Sequence, residues 1–151
     1  MYGDVSKHGL VAVKLLALDI GERRIGLAVS DAGGSMAFPV GHLVRSKLRL
    51  DIQRVLETAR LREIEGIVVG IPYSLSGDVG PQAKRVQGFI RALRASTSLP
   101  VYTVDERFTS VEAQALLRNA DRQPSRERGA VDASAAALIL QRFLDQFRAQ
   151  H

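Results

Sequence analysis

The sequence predicts an α/β fold, a five-stranded mixed sheet with helices on both faces. Three observations predict it. Two short β-rich runs, Lys14 to Asp19 and Ile25 to Ser30, flank the turn Gly21-Glu22-Arg23-Arg24, the pattern of an antiparallel hairpin. Ile67-Val68-Val69-Gly70-Ile71 is apolar throughout, as a strand buried on both sides must be. From Leu50 onward, segments of helical period alternate with strands, the order that crossover connections between parallel strands require.

In chain order, Met1 to Val13 is polar and small-residue rich and reads as a flexible lead-in. The hairpin follows, with Gly26 inside its second strand. After the turn-prone Gly33-Gly34-Ser35 a third strand covers Phe38 to Val44. Ile52, Val55, Leu56 and Ala59 share one face of a helix spanning Leu50 to Ile64, with Gly66 as its terminator. Beyond the apolar strand and the loop Pro72 to Gly80, Pro81 suits a first helical position. Val86, Phe89, Ile90 and Leu93 then mark a helix to Ala95. Pro100 to Asp105 is a fifth strand. Thr109 with Glu112 is a capping-box signature for a short helix to Leu117. Asn119 to Gly129 is polar and reads as a mobile loop, and Val131 to Phe147 is the last helix, with Asp132 at its opening. Its Ala133 to Ala137 run predicts close packing on the sheet.

Composition narrows the class. At 151 residues, with 46% hydrophobic and 25% charged residues, residues 1–151 fit one globular domain and not a disordered chain. No apolar run approaches the roughly 20 residues of a membrane span. The first residues lack a secretory signal's apolar stretch, and there is no cysteine, which together predict a cytoplasmic protein. The net charge is +5 and 17 of the 21 basic residues are Arg, whose planar fork suits phosphate; this points towards nucleic acid as partner, although a high-GC genome enriches Arg in the same way.

Three acidic positions stand out. Asp19 ends an apolar strand, where an unpaired carboxylate costs several kcal/mol, so it is either a turn cap or a metal ligand. Asp105-Glu106 ends the fifth strand and Asp132 opens the last helix. Ends of this kind converge on one edge of an α/β sheet. Gathered there, three carboxylates suit a hard divalent cation, Mg²⁺ or Mn²⁺, and two such ions support phosphodiester cleavage. Taken singly, each has a plainer reading: a cap at Asp19, an ion pair in Asp105-Glu106-Arg107, a helix N-cap at Asp132. Around them, Ser74, Ser76 and Gly77 lie in a loop that a phosphate can approach. Lys84 and Arg85 occupy the first turn of the helix behind it, and Arg23, Arg24 and Arg107 lie in turns. The turn at Gly21 is no dinucleotide fingerprint, and His8, His42 and His151 form no ligand spacing.

These residues resemble a known family. Leu18-Asp19-Ile20-Gly21 with Arg23-Arg24-Ile25-Gly26, Val69-Gly70-Ile71-Pro72, Gly80-Pro81-Gln82, Asp105-Glu106-Arg107-Phe108-Thr109 and Val131-Asp132-Ala133 are similar, in order, to motifs of the YqgF/RuvX family. The resemblance implies an RNase H-like fold related to the RuvC resolvases. It implies a nuclease that matures the 5′ end of pre-16S rRNA, with Holliday-junction resolution as the alternative and a non-catalytic RNA-binding assembly factor as a further one. It also implies that Asp19, Glu106 and Asp132 are the catalytic, metal-holding acids, with Asp105 as the other choice on the fifth strand. RuvC-type enzymes carry an acid on the fourth strand, where this chain has Gly70-Ile71-Pro72. The acidic pair thus lies one strand outward, about 4.8 Å away, a gap that a Glu side chain can span. The junction reading adds a homodimer as partner; the RNA reading requires structured RNA alone.

Overall fold

The computed structural model describes residues 13–108 and 125–150, apart from the side chains of 108, 125–130 and 148–150. The helix expected after Thr109 and the loop segment 119–124 lie outside the described residues. Five strands form one sheet: β1 (Leu15–Ile20), β2 (Arg24–Ser30), β3 (Ala37–Val44), β4 (Gly66–Ile71) and β5 (Val101–Asp105). Their order is β3-β2-β1-β4-β5. The first three strands pair antiparallel, and β4 and β5 join β1 in parallel, so the sheet is mixed as expected.

Strand parity divides the core. Leu16, Leu18, Ile67 and Val69 face α1 (Leu48–Leu61) and α2 (Pro81–Ser96), packing with Ile52, Val55, Phe89 and Leu93. Leu15, Ala17, Ala28, Val68, Tyr102 and Val104 face α3 (Ser125–Gln150) and meet Ala136, Ile139, Leu140 and Phe143. Tyr102 and Phe143 rings lie 5.2 Å apart. Ala133, Ala135 and Ala136 are buried, which is the close approach that the Ala run predicts.

Two boundaries differ from the sequence expectation. The first helix ends at Leu61 and not at Ile64, because a Schellman motif stops it before Gly66 is reached. Ile64 N–H donates to Ala59 O at 2.8 Å and Glu63 N–H to Arg60 O at 3.2 Å, with Glu63 itself at φ +57°. Gly66 is instead the first residue of β4. The last helix begins at Ser125, so residues 125–129 are helical and not loop. Arg126, Glu127 and Arg128 are good helix formers, and only Gly129 opposes them, by about 1 kcal/mol. Asp132 is therefore two turns inside a helix and caps nothing. No helix among the described residues is long and apolar enough to cross a membrane.

Candidate active site

Asp19 lies on the α3 face of the sheet, on the same side as Leu15 and Ala17. Its two strand neighbours are glycines. On β2 it pairs with Gly26. On β4 it faces Gly70, one residue beyond the Leu18–Val69 pair. Each missing side chain is used. A Cβ on Gly26 would stand 2.0 Å from the carbonyl oxygen of Asp132, so the glycine admits the backbone of α3 directly onto β2. A Cβ on Gly70 would stand 2.5 Å from Glu106 Oε1 and 2.7 Å from Ile139 Cδ1. Glu106 thus lays its side chain across β4 from the end of β5.

The carboxyls of Glu106 and Asp19 are joined by a hydrogen bond. Burial pushes Glu106 up to about 9, helped by the charges of Asp19 and Asp105. Burial likewise raises Asp19 to about 6; the bond from Glu106 opposes this and the Asp132 charge adds to it. At neutral pH the pair therefore shares one proton. Asp132 reaches the same place from the side of α3. Its Oδ2 accepts the Nε–H of Arg24 at 2.6 Å, both side chains being largely shielded. Among the described residues no three metal-capable side chains stand together at ligand spacing, and the Asp132 carboxylate is bonded to Arg24.

Asp105 points away from this group. Arg107 clamps it, giving Nε at 3.0 Å and Nη2 at 2.6 Å to Oδ2, and holds its carboxyl below the usual range. Of the two acids at the end of β5, Asp105 is its last residue and Glu106, the first residue beyond it, is the one that meets Asp19. Arg107 is thereby committed: its guanidinium lies 5.8 Å over the Tyr73 ring and donates to Leu75 O at 3.4 Å. It braces the loop 72–80, where Gly77 sits at φ +91° with room for little beyond Arg107 Nη1. Ser74 and Ser76 spend their hydroxyls inside that loop, on each other and on Asp78. Lys84 and Arg85 are exposed at the start of α2, Arg85 within 3.3 Å of Glu22, and Arg23 is exposed in the β1–β2 turn.

Sequence reading passed over Gly26 and Gly70 as site residues, although a glycine inside a strand signals close approach of another group. It also passed over Asp51, 1% exposed, which accepts Ser46 N–H at 2.9 Å and Arg45 Nε–H at 3.1 Å and pins the start of α1. Nothing in its flanking residues marks that acid as buried.

Comparison with known proteins decides the family. The model described as "RuvX: Holliday junction resolvase" matches residues 13–146. The chain belongs to the RuvX family. A protein of Synechococcus sp. named "Putative pre-16S rRNA nuclease" is 43% identical over 133 residues, 88% of this chain and 89% of that one. One of the same name from Desulforudis audaxviator is 41% identical over 88% of this chain and 94% of its own. Among solved structures, T. thermophilus RuvC in complex with Holliday junction substrate superposes with a TM-score of 0.58 at 16% identity, covering 91% of this chain and 96% of that one. The fowlpox virus Holliday junction resolvase gives 0.53 at 10% identity, over 88% and 98%. The fold of this RuvX member is that of the RuvC-like, RNase H-type resolvases.

Proposed function

We propose that this RuvX chain is a divalent-cation-dependent endonuclease hydrolysing phosphodiester bonds in structured RNA, with the 5′ end of pre-16S rRNA as its substrate. The observation that carries the reading is the Asp19–Glu106 carboxyl pair, formed across Gly70, with Asp132 brought over Gly26 close enough for its charge to act on Asp19. The name shared by relatives about 40% identical supports the RNA substrate. Trimming of rRNA carries a cytoplasmic location with it.

The donor set fits Mg²⁺ or Mn²⁺. Its atoms are hard carboxylate oxygens, and Asp19 and Glu106 are close enough to share a proton, a place that a cation takes when it binds. Asp19, Glu106 and Asp132 would hold it; bound there, it lowers the pKa of water and stabilises charge on the phosphoryl and leaving oxygens. Glu106 gives up its proton to ligate, which is why activity should rise with pH. Arg107 fixes the loop that forms one wall, through Tyr73 and Leu75. Arg23, Lys84 and Arg85 are exposed and take the backbone phosphates.

A second reading, resolution of four-way DNA junctions, is favoured by the family's own description. Paired cuts in a junction need two copies of the chain. The deciding experiment sets pre-16S rRNA beside a four-way DNA junction, with Mg²⁺ or Mn²⁺, for wild type and Asp19→Asn. RNA cleavage lost in the variant supports the first reading, and junction cleavage by a dimer supports the second. Tight, salt-dependent RNA binding with no turnover would replace both with an assembly factor.

A further inference from the structure

Arg24 and a cation at the three carboxylates draw on the same group, the carboxylate of Asp132. Arg24 donates its Nε–H to Asp132 Oδ2 at 2.6 Å, the length of a charge-assisted bond. The two side chains are 17% and 15% exposed, shielded enough for the attraction to be felt yet reachable by a bound polyanion. The backbones beneath them are fixed: Arg24 is the first residue of β2, and two residues on, Gly26 takes the backbone of Asp132 in direct contact. Exchange of partners is therefore a matter of side-chain rotation alone. Arg24 also follows the exposed Arg23 at the end of the β1–β2 turn. A phosphate can take the whole guanidinium fork bidentately, whereas Asp132 takes Nε.

From this geometry we infer that Arg24 is a positioning residue that couples the two ligands of the site. It holds Asp132 aside until a backbone phosphate draws the guanidinium away, which releases Asp132 to a divalent cation shared with Asp19 and Glu106. The inference rests on the cation-dependent reading above. Its sign follows from charge. Asp132 already acts on Asp19, so removing Arg24 from the group leaves carboxylates that repel until a cation enters. Nucleic acid and cation then favour each other, and by linkage each tightens the other equally. Without nucleic acid, Arg24 serves as the countercharge and keeps the site from loading.

The test is calorimetric titration of Mn²⁺ into the protein alone and into its complex with a phosphorothioate RNA hairpin, which keeps the backbone charge and slows cleavage, corrected for Mn²⁺ bound by the hairpin itself. In wild type the hairpin should tighten Mn²⁺ binding roughly tenfold, within the usual span of coupling energies. Arg24→Met should bind Mn²⁺ alone about as tightly as the wild-type complex does, with no further gain from the hairpin. Arg24→Lys keeps a cation, and with it the fold, and should fall between. Wild-type affinity and wild-type gain in Arg24→Met, or in Arg24→Lys should the first variant not fold, overturns the coupling. Asp19→Asn separates the two levels. If it binds Mn²⁺ as well as wild type, the site reading itself fails; if it loses Mn²⁺ while the Arg24 variants match wild type, the coupling alone fails.

Discussion

Glu106 occupies the space that a side chain on Gly70 would need: a Cβ there would lie 2.5 Å from its Oε1 and 2.8 Å from its Cγ. The glycine on β4 is thus what lets an acid rooted on β5 meet Asp19 on β1. Gly70→Ala should push Glu106 out of reach while leaving the sheet paired. We expect cleavage to fall about 100-fold, the scale of a 1 Å misplacement in an active site. Overpacking against Ile139 should cost a further ~1–3 kcal/mol of stability. Near-wild-type cleavage by Gly70→Ala would remove Glu106 from the mechanism.

The shared proton makes stability depend on pH in a stated direction. Asp19 and Glu106 are raised in the folded state from 3.8 to about 6 and from 4.5 to about 9. Between the ordinary and raised values the folded protein binds more protons than the unfolded chain, so stability falls as pH rises. In chelator, the Tm should therefore drop from about pH 4 upward and level off only once the pH has passed through about 9. Glu106→Gln keeps a donor to Asp19 but cannot ionise. It should melt higher than wild type at pH 8 and show a flatter Tm profile. Parallel profiles for the two proteins would contradict the pairing.

Much of this was legible from residue patterns, and the exceptions have physical causes. The hairpin, the doubly buried β4 and the face of α2 follow from periodicity alone, because burial on one or both sides leaves a repeating mark. Helix ends do not. Glu63 takes a left-handed conformation that favours glycine, and no local rule foretells that a glutamate will close the helix before Gly66. At the candidate site, Asp19 and the Asp105-Glu106 pair stand out at strand ends, whereas Asp132 stood out by an expected helix start that the structure places two turns earlier. What brings them together was not visible, since Gly26 and Gly70 act through atoms they lack. The Arg24–Asp132 bond spans 108 residues of sequence and leaves no local trace.

Gly26→Ala probes the other gap. Its Cβ would meet main-chain atoms, Asp132 O at 2.0 Å and Asp132 C at 2.4 Å, which cannot rotate away as a side chain can. The helix must lift off β2, taking Asp132 with it. Destabilisation of about 3 kcal/mol or more is expected, at the upper end of overpacking effects, together with loss of cleavage. A Tm within a degree or two of wild type would mean that α3 does not press on β2.

The acid at Asp51 supplies a contrast on the opposite face of the sheet. Asp51→Ala removes the acceptor for Ser46 N–H and leaves Arg45 without its carboxylate. Charged hydrogen bonds of this kind are worth about 1.5–3 kcal/mol, and the loss should appear as a lower urea midpoint with an unchanged slope. Cleavage per folded molecule should stay at the wild-type level, because Asp19 and its partners face α3. A fall in turnover without a fall in stability would place Asp51 in the reaction.

Arg107 separates bracing from phosphate binding. Its guanidinium is held by Asp105, stacks over Tyr73 and reaches Leu75 O, so its positive charge is already answered within the protein. Arg107→Met should keep some of the packing on Tyr73 but release both Asp105 and the loop carrying Ser74, Ser76 and Gly77. Loosening a wall that orients substrate should raise KM and lower kcat together, by roughly tenfold in kcat/KM, or about 1.4 kcal/mol. The dependence of binding on salt should barely change, because no direct phosphate contact is lost. A residue contacting a phosphate would instead reduce the slope of log K against log salt by about one. That slope, measured for Arg107→Met beside Arg23→Met, assigns the brace to one arginine and the phosphate contact to the other.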